Sequence, residues 1–388
     1  MNNARYIVRA ILFLLVAVPS TSPAYAAPNL IVFIADDMAW DDAGAYGHPH
    51  IQTPNIDRLA RQGMRFDRAF LTTSSCSPSR SSILTGRYPH STDAGELHLP
   101  LPANQVILTE HLLQKGYHTA AAGKWHLGNP TRDKFDTILG VDRSGGDRSG
   151  CEKWVDALAD RPRDKPFFLW LAAKDPHRNY QKNTIPNPHS PGDVVLPPYI
   201  PDLPGVREDF AMYYDEIARM DSYIGKVLDE LDRQGIADNT CIIFMSDNGR
   251  PFTRAKTTLY DSGIRTPFII RYPGVIESGA TTNSIISAVD LAPTILELAD
   301  ATPMSSSQGH SFAKLLTDPE TETREYAFAE HNWHDFTARE RSVRSKHYLY
   351  IRNEYADLPG TPPADAVRSP THQAMIQAHE NGELMPDQ

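Results

Sequence analysis

The sequence predicts an α/β fold in which helices flank a large, mostly parallel central sheet. Strand-length apolar runs alternate along the chain with longer amphipathic segments, which is typical of α/β proteins. Several of these runs are apolar throughout, as expected for strands buried on both faces of a parallel sheet. With 388 residues, 40% of them hydrophobic, the chain is long enough for one large domain and a smaller one.

The first predicted strand covers residues 29–35 and ends directly before Asp36 and Asp37. In parallel α/β sheets, ligands gather at the carboxyl ends of the strands. Two adjacent aspartates at such an end are costly unless a cation or hydrogen bonds satisfy them. The next segment predicts a helix, with Thr53 as its N-cap and Pro54 at its first position.

A run of small hydroxyl residues surrounds Cys76 and predicts a helix N-terminus. Ser75 or Ser77 could cap this helix, and Pro78 suits its first turn because the missing N–H needs no partner there. The positive end of the helix dipole would face Cys76, with Arg80 about one turn further on. Two interpretations are compatible with these residues: a nucleophile held where negative charge is stabilised, or a small buried cysteine beside a capped helix.

Three later apolar runs repeat the pattern of a buried strand followed by polar residues. Because the carboxyl ends of parallel strands meet at one edge of a sheet, we expect the polar residues to form a single site there. The runs and the residues that follow them are 117–122 with Lys124 and His126, 166–172 with His177 and Arg178, and 240–245 with Asp247 and Asn248.

The remaining elements follow from hydrophobic periodicity and from turn residues. Helices are predicted over 108–115, 208–234, 290–299 and 371–383, a further strand over 266–272, a proline-rich surface loop over 179–205, and one half-exposed strand over 341–351.

Four of the polar residues are oxygen donors of the kind that hard cations prefer. Asp36, Asp37, Asp247 and Asn248 supply three carboxylates and one amide, a set that suits Ca²⁺ or Mg²⁺. An isolated acidic pair is common on protein surfaces, but here each cluster ends a buried apolar run. Lys256 follows the second cluster and is either a solvated lysine or part of a local positive field.

The net charge of the chain limits the classes of partner that it can bind. The formal net charge of −10 argues against nucleic acid as a partner, since no basic excess is available to neutralise phosphates.

The N-terminal residues carry the pattern of a signal peptide. Arg5 and Arg9 precede the apolar run 10–18, and Ala24–Ala26 offers small residues at the spacing of a cleavage site, so residues 1–26 are predicted to be a signal peptide. The run is too short to span a bilayer, although a signal anchor is an alternative. We therefore expect a periplasmic or secreted protein that is not bound to a membrane after cleavage.

Only three cysteines are present, too few for a disulfide framework in an exported protein of this size. Cys151 and Cys241 could pair if Cys76 is reserved for chemistry. Cys241 lies inside a strand-like apolar run, so we expect it to be a buried free cysteine and not part of a disulfide with Cys151.

The segment Cys76–Arg80 reads Cys-Ser-Pro-Ser-Arg and resembles the type I sulfatase signature Cys-x-Pro-Ser-Arg. The resemblance implies an alkaline-phosphatase-like sandwich. It also implies that a maturation enzyme oxidises Cys76 to formylglycine (3-oxoalanine), whose hydrate is the nucleophile stabilised by Arg80. The implied metal ligands are Asp36, Asp37, modified Cys76, Asp247 and Asn248, with Ca²⁺ as the usual ion and Mg²⁺ as an alternative.

The same resemblance implies roles for four further residues. Lys124 would neutralise the sulfate and the nucleophile, and His126 would orient or deprotonate the hydrate. His177 would contact the sulfate and protonate the leaving group, a role that suits a side chain titrating near neutrality. Lys256 would add positive charge to the sulfate site.

Two segments resemble one branch of this family, the heparan N-sulfatases (sulfamidases). They are the residues around Cys76 and the segment Asp175–Arg178, which reads Asp-Pro-His-Arg. The implied substrate is N-sulfoglucosamine in a sulfated saccharide, with Arg178 as a substrate-binding residue. Departures from the family pattern in loops 88–102 and 179–205 leave an O-sulfatase acting on other sulfated polysaccharides as an alternative. A phosphatase-type hydrolase of the same superfamily and a non-catalytic sugar-binding relative are further alternatives.

The resemblance divides the chain into a catalytic domain over residues 27–327 and the start of a small antiparallel C-terminal subdomain over residues 328–388. The family usually continues with further strands, so we expect the C-terminal subdomain to be incomplete.

Overall fold

A computed structural model describes residues 27–140 and 149–385. The predicted signal peptide, residues 1–26, lies outside the described residues. The strands are β1 (Asn29–Ala35), β2 (Met64–Phe66), β3 (Ala69–Phe70), β4 (His118–Gly123), β5 (Thr137–Gly140), β6 (Phe167–Ala172), β7 (Thr240–Ser246), β8 (Phe268–Arg271), β9 (Ala280–Thr282), β10 (Ile286–Ser287), β11 (Ala327–His331), β12 (Glu340–Arg344) and β13 (Leu349–Asn353).

The helices account for most of the remaining regular structure in the described ranges. They are α1 (Pro54–Gln62), α2 (Cys76–Thr85), α3 (Leu108–Gln114), α4 (Trp154–Ala159), α5 (Val206–Gln234), α6 (Asp261–Ile264), α7 (Leu291–Leu298), α8 (Ala364–Val367) and α9 (Pro370–Glu380). None of these helices is both long and apolar enough to cross a membrane.

The central sheet confirms the predicted α/β class. It has the strand order β5-β4-β6-β1-β7-β8-β2-β9. The neighbours from β5 to β7 all pair in parallel, whereas β8 pairs antiparallel with both β7 and β2. Strand β1 therefore lies in the middle of the sheet, between β6 and β7, and all of its residues are buried.

Both faces of the sheet are covered, so β1 has no polar face. Leu30, Val32 and Ile34 join a hydrophobic cluster with residues of α2, α3 and α7 on one side. The residues between them join a second cluster with residues of α1, α4 and α5 on the other side. This three-layer arrangement explains why the strand sequences are apolar throughout rather than alternating.

The C-terminal residues differ from the prediction in one respect. The segment 341–351 is not one strand: β12 and β13 form an antiparallel pair joined by a turn, and β11 pairs with the other edge of β12. The predicted C-terminal helix is α9, which begins near the expected residue and ends earlier, at Glu380. Met375 of α9 packs into the same cluster as Phe210 of α5, so the chain returns to the catalytic domain after the small sheet.

The structure also tests the predicted helix cap at Thr53 and the possible pairing of Cys151 with Cys241. Thr53 precedes α1 as expected, but its hydroxyl donates to Asp57 and makes no cap bond to the helix backbone. Cys151 and Cys241 do not pair: both are buried and free.

Candidate active site

The polar residues after four neighbouring strands come together at one edge of the sheet, as the sequence predicts. The parallel register places Ala35 at the end of β1 beside Ser246 of β7. On the other side, Ala172 of β6 lies beside both Ile34 of β1 and Gly123 of β4. The residues delivered to this edge are Asp36, Asp37, Lys124, His126, His177, Asp247 and Asn248.

Cys76 is the first residue of α2, and its side chain is buried against the carboxylates. The residue is 2% exposed, and its Sγ lies 3.8 Å from Oδ1 of Asp37. Ser75 occupies the predicted N-cap position with an extended backbone, but its hydroxyl does not cap the helix. Instead, Ser75 Oγ is hydrogen-bonded to Nδ1 of His334 at 2.7 Å, which ties the start of α2 to the C-terminal region.

Three buried carboxylates face three cationic side chains next to Cys76. The guanidinium of Arg80 donates to Asp247 at 2.8 Å and lies 3.8 Å from Asp36. Lys124 forms an ion pair with Asp36. Lys256 Nζ pairs with Asp37 Oδ2 at 2.7 Å. All three predicted cations therefore contact the predicted metal ligands, and their charges balance those of the three carboxylates.

The oxygen atoms of this cluster fit a hard cation. Oδ1 of Asp36 and Oδ1 of Asn248 are buried and have no hydrogen-bond partner among the described residues. One ligand atom from each of Asp36, Cys76 and Asp247 lies within 4.8 Å of the others. Unsatisfied buried oxygens are costly unless something positive binds them, so the set suits Ca²⁺ or Mg²⁺. The assignment of Asp36, Asp37, Asp247 and Asn248 as ligands stays a prediction.

Burial also shapes the protonation of the cluster. Burial raises the pKa of the Cys76 thiol well above its usual value, against the opposing effect of Lys124 and Lys256. Burial likewise raises the pKa of Asp247, which Arg80 opposes. An unmodified thiol at this position is therefore held as the weakly nucleophilic S–H form.

His126 contacts a second histidine that the sequence did not single out. Nε2 of His126 is hydrogen-bonded to Nδ1 of His98 at 2.7 Å, and His98 N donates to Ser77 Oγ at 2.8 Å. Nδ1 of His126 is buried with no hydrogen-bond partner in the described part of the chain. Burial, together with the charges of Lys124 and Arg80, lowers the pKa of His126, so its imidazole is neutral and a weak base in these surroundings.

His177 lies at the more accessible side of the cluster. Its side chain is 31% exposed, and its Nε2 is 3.9 Å from Oδ2 of Asp37. Its other ring nitrogen, Nδ1, is hydrogen-bonded to the carbonyl oxygen of Arg178 at 2.5 Å. This bond leaves Nε2 directed at the cluster, where a leaving group could receive its proton.

Arg178 is placed differently from the other predicted site residues. Its guanidinium makes a bidentate pair with Asp209 at 2.8 and 2.9 Å and donates to the carbonyl of Pro251. The side chain is 4% exposed and contacts the rings of Tyr180 and Phe252. Its role in substrate binding stays a prediction. In this structure the N–H groups of its guanidinium donate to Asp209 and Pro251 of the protein itself.

We expect Arg178→Ala to lower the free energy of unfolding by about 3 kcal/mol or more, because it leaves the buried carboxylate of Asp209 without its cation. Urea denaturation of the purified protein measures this change. Arg58→Ala is the matched control: Arg58 pairs with Asp232 at the surface, where we expect about 1 kcal/mol or less. An unchanged stability with a raised KM would instead support substrate binding by Arg178.

The structure adds three residues that sequence reasoning missed: His98, His334 and Asp365. His98 belongs to the loop already expected to shape the pocket. Asp365, in α8, places Oδ2 3.5 Å from His177 Nε2 and 3.8 Å from Lys256 Nζ. Asp365 is an isolated acid in an alanine-rich stretch, so no motif marks it.

The chain belongs to the sulfatase family. The sulfatase family model matches residues 28–301, and a model described as N-sulphoglucosamine sulphohydrolase, C-terminal, matches residues 253–359. The resemblance that rests on Cys76–Arg80 is thus confirmed, and the protein is a hydrolase of this family. The family implies a formylglycine and a metal ion, for which the cluster around Cys76 is a candidate site.

Individual relatives show how far the similarity extends. N-sulphoglucosamine sulphohydrolase of Homo sapiens is 31% identical over 92% of this chain and 79% of its own length. An ulvan-active sulfatase of Formosa agariphila is 30% identical over 84% of this chain and 66% of its own length. A solved structure of a protein in complex with its substrate, D-glucosamine-2-N,6-O-disulfate, has a TM-score of 0.73 at 22% identity, covering 94% of this chain and 100% of that chain. The last similarity shows the fold alone.

Proposed function

We propose that this sulfatase hydrolyses the N-sulfate of glucosamine residues in a heparan-type saccharide, using a formylglycine made from Cys76. The observation that carries the reaction is the placement of Cys76 at the start of α2 against three carboxylates and three cations. The substrate rests on the similarity to N-sulphoglucosamine sulphohydrolase over most of the chain and on the match of its C-terminal model.

The chain's own side chains would position the sulfate and move the protons. When bound, the cation supplies positive charge to the sulfate oxygens, and the formylglycine supplies a nucleophilic oxygen. Lys124 and Lys256 neutralise the negative charge that the sulfate brings to the site. His126, as a neutral imidazole with an unpaired Nδ1, would orient the nucleophile, and His177 would donate a proton from Nε2 to the leaving group.

A second candidate function is O-sulfate hydrolysis on another sulfated polysaccharide. The ulvan-active sulfatase, at 30% identity, is nearly as similar to this chain as the N-sulfoglucosamine enzyme. A phosphatase-type reaction is less well supported, because Cys76 and the oxygen-rich donor set differ from the Ser or Thr and histidine ligands of such enzymes. A non-catalytic relative would be expected to have lost part of the cluster, yet Cys76 and the predicted cations are all in place.

We also propose that the protein acts after export, in the periplasm or outside the cell. The support is the basic, apolar and small-residue pattern over residues 1–26. Its partners would be the sulfated saccharide and the enzyme that converts Cys76.

The test is sulfate release by the protein produced with a formylglycine-generating enzyme. The tryptic peptide from Ala69 to Arg80 gives the converted fraction by mass, and rates are normalised to that fraction. We expect release from N-sulfoglucosamine to exceed release from glucosamine 6-sulfate at least about tenfold in kcat/KM, equivalent to about 1.4 kcal/mol of transition-state discrimination. Release from O-sulfated sugars alone would keep the reaction class and overturn the substrate.

A further inference from the structure

Asp365 brings an acidic side chain into a site that must bind an anion. It lies in α8, which follows the small C-terminal sheet and is outside the residues matched by either family model. A carboxylate close to a sulfate raises the energy of the complex by like-charge repulsion. Its position therefore calls for a group on the substrate, other than the sulfate, that benefits from a negative charge.

The two oxygens of Asp365 have different surroundings. Oδ1 accepts a hydrogen bond from the backbone N–H of Ala366 at 2.8 Å. Oδ2 is buried and has no hydrogen-bond partner among the described residues; it lies 3.5 Å from His177 Nε2 and 3.8 Å from Lys256 Nζ. One oxygen is thus fixed to the backbone, and the other retains its capacity to accept at the predicted leaving-group side of the site.

The segment that carries Asp365 is anchored on both sides. Before it, the N–H of Ala364 donates to Oδ2 of Asp335 at 2.8 Å. After it, the hydroxyl of Thr371 donates to Oδ2 of Asp209 at 2.7 Å, and Asp209 is the partner of Arg178. Arg178 directly follows His177 in the chain. The position of Asp365 relative to His177 is therefore fixed by hydrogen bonds that are buried or partly buried.

Asp365 is ionised in these surroundings. Burial opposes its ionisation, but the charges of Lys256 and His177 prevail and bring its pKa to about 2. The side chain is 15% exposed at the site, although Oδ2 itself is buried.

The bridging atom of the substrate decides whether such a carboxylate helps. In a sulfamate, the atom between the sugar and the sulfur is a nitrogen that carries a hydrogen and can donate it. In a sulfate ester, that atom is an oxygen with lone pairs and no hydrogen, which a carboxylate repels. After cleavage the difference grows, because the amine product can take up a proton and become a cation.

We propose that Asp365 selects an N-sulfated over an O-sulfated sugar by accepting a hydrogen bond from the N–H of the scissile sulfamate. This inference rests on the proposed function and deepens it, since it assigns the preference for nitrogen to one residue. Asp365 is a specificity-determining residue here: it binds the leaving group, while His177 supplies the proton.

The experiment compares wild type, Asp365→Ala and Asp365→Asn, each loaded with Ca²⁺ and normalised to the converted fraction of Cys76. Substrates are N-sulfoglucosamine, glucosamine 6-sulfate and the aryl ester 4-methylumbelliferyl sulfate. We expect Asp365→Ala to lower kcat/KM for N-sulfoglucosamine about 10- to 100-fold, the range of a hydrogen bond to a charged group. Turnover of the two esters should change by less than about threefold or increase. Asp357→Asn, at an exposed position before α8, is the matched control and should leave all rates unchanged.

A second measurement does not depend on ester turnover. Glucosamine, as the ammonium product, should inhibit wild type more strongly than N-acetylglucosamine does, and Asp365→Ala should remove most of this difference. A structural role of Asp365 would not change the ratio of the two inhibition constants. Thermal melting shows whether Asp365→Ala is folded; if it is not, the isosteric Asp365→Asn decides, with an expected loss of about tenfold for the N-sulfated sugar alone.

The outcomes separate the two proposals. If wild type cleaves only O-sulfated substrates, the proposed substrate is wrong and the role of Asp365 fails with it. If wild type cleaves N-sulfoglucosamine but the variants lose all substrates equally, the proposed substrate stands and the selective role of Asp365 is overturned. Unchanged activity of a folded Asp365→Ala overturns it as well.

Discussion

Cys76→Ala is expected to reduce sulfate release to less than about 10⁻⁴ of the wild-type rate, because it removes the atom on which covalent catalysis depends. The side chain lies against the carboxylate of Asp37, and the neighbouring hydroxyls of Ser75 and Ser77 are hydrogen-bonded to His334 and to the backbone N–H of His98. The measurement is sulfate release at saturating N-sulfoglucosamine, with the folded state checked by thermal melting.

Cys241→Ala is the matched control, since it also removes a buried thiol but lies near the amino end of β7, at the opposite end of the strand from the site. We expect it to lower stability and leave the rate per folded, converted molecule unchanged. A Cys76→Ala protein that is folded and retains more than a few per cent of the activity would refute the nucleophile assignment.

Removal of the divalent cation is expected to lower sulfate release at least about 100-fold, and added Ca²⁺ should restore it. The physical reason is that three buried carboxylates balance the charges of Arg80, Lys124 and Lys256, so without the divalent cation the site has no excess positive charge to bind a sulfate. The assay is sulfate release after dialysis against a chelator, followed by titration with Ca²⁺ and, separately, Mg²⁺.

Thermal melting gives a readout of this site that does not need activity. A cation at about 100 times its dissociation constant stabilises the folded state by about 2.7 kcal/mol, so the melting temperature should rise with added Ca²⁺. Asp247→Asn should weaken this rise, whereas Asp300→Asn, at an exposed position, should not. A melting temperature that is independent of Ca²⁺ in the wild type would argue against the ligand set.

The strands that form the site were predictable because their sequences are unambiguous. β1 and β7 are apolar except at terminal residues and are followed by acidic residues, a pattern typical of strands buried on both faces of a sheet. The division between β12 and β13 was not predictable in the same way. Their turn, residues 345–348, reads Ser-Lys-His-Tyr and contains none of the Gly, Pro, Asn or Asp residues that normally mark a hairpin.

Hydrogen-bond and ion-pair partners that lie far apart in the chain were also not predictable from the sequence. Ser75 was correctly placed at the start of α2, but its hydroxyl bonds to His334, 259 residues away, instead of capping the helix. Arg178 was identified by a short motif, yet its partner Asp209 lies in α5 and looks like any acid in the first turn of a helix. Local patterns locate a side chain; they do not say which group it binds after the chain folds.

The burial of Cys76 also bears on the order in which its oxidation and the folding of the chain can occur. The cysteine is 2% exposed, and every residue of α2 is buried. If Cys76 is converted as the family implies, a modifying enzyme of protein size would have to read Cys76, Pro78 and Arg80 in an open chain, before this helix packs. A molecule that folds with its thiol intact would then remain inactive until it unfolds, and the yield of active protein would depend on the relative rates of oxidation and folding.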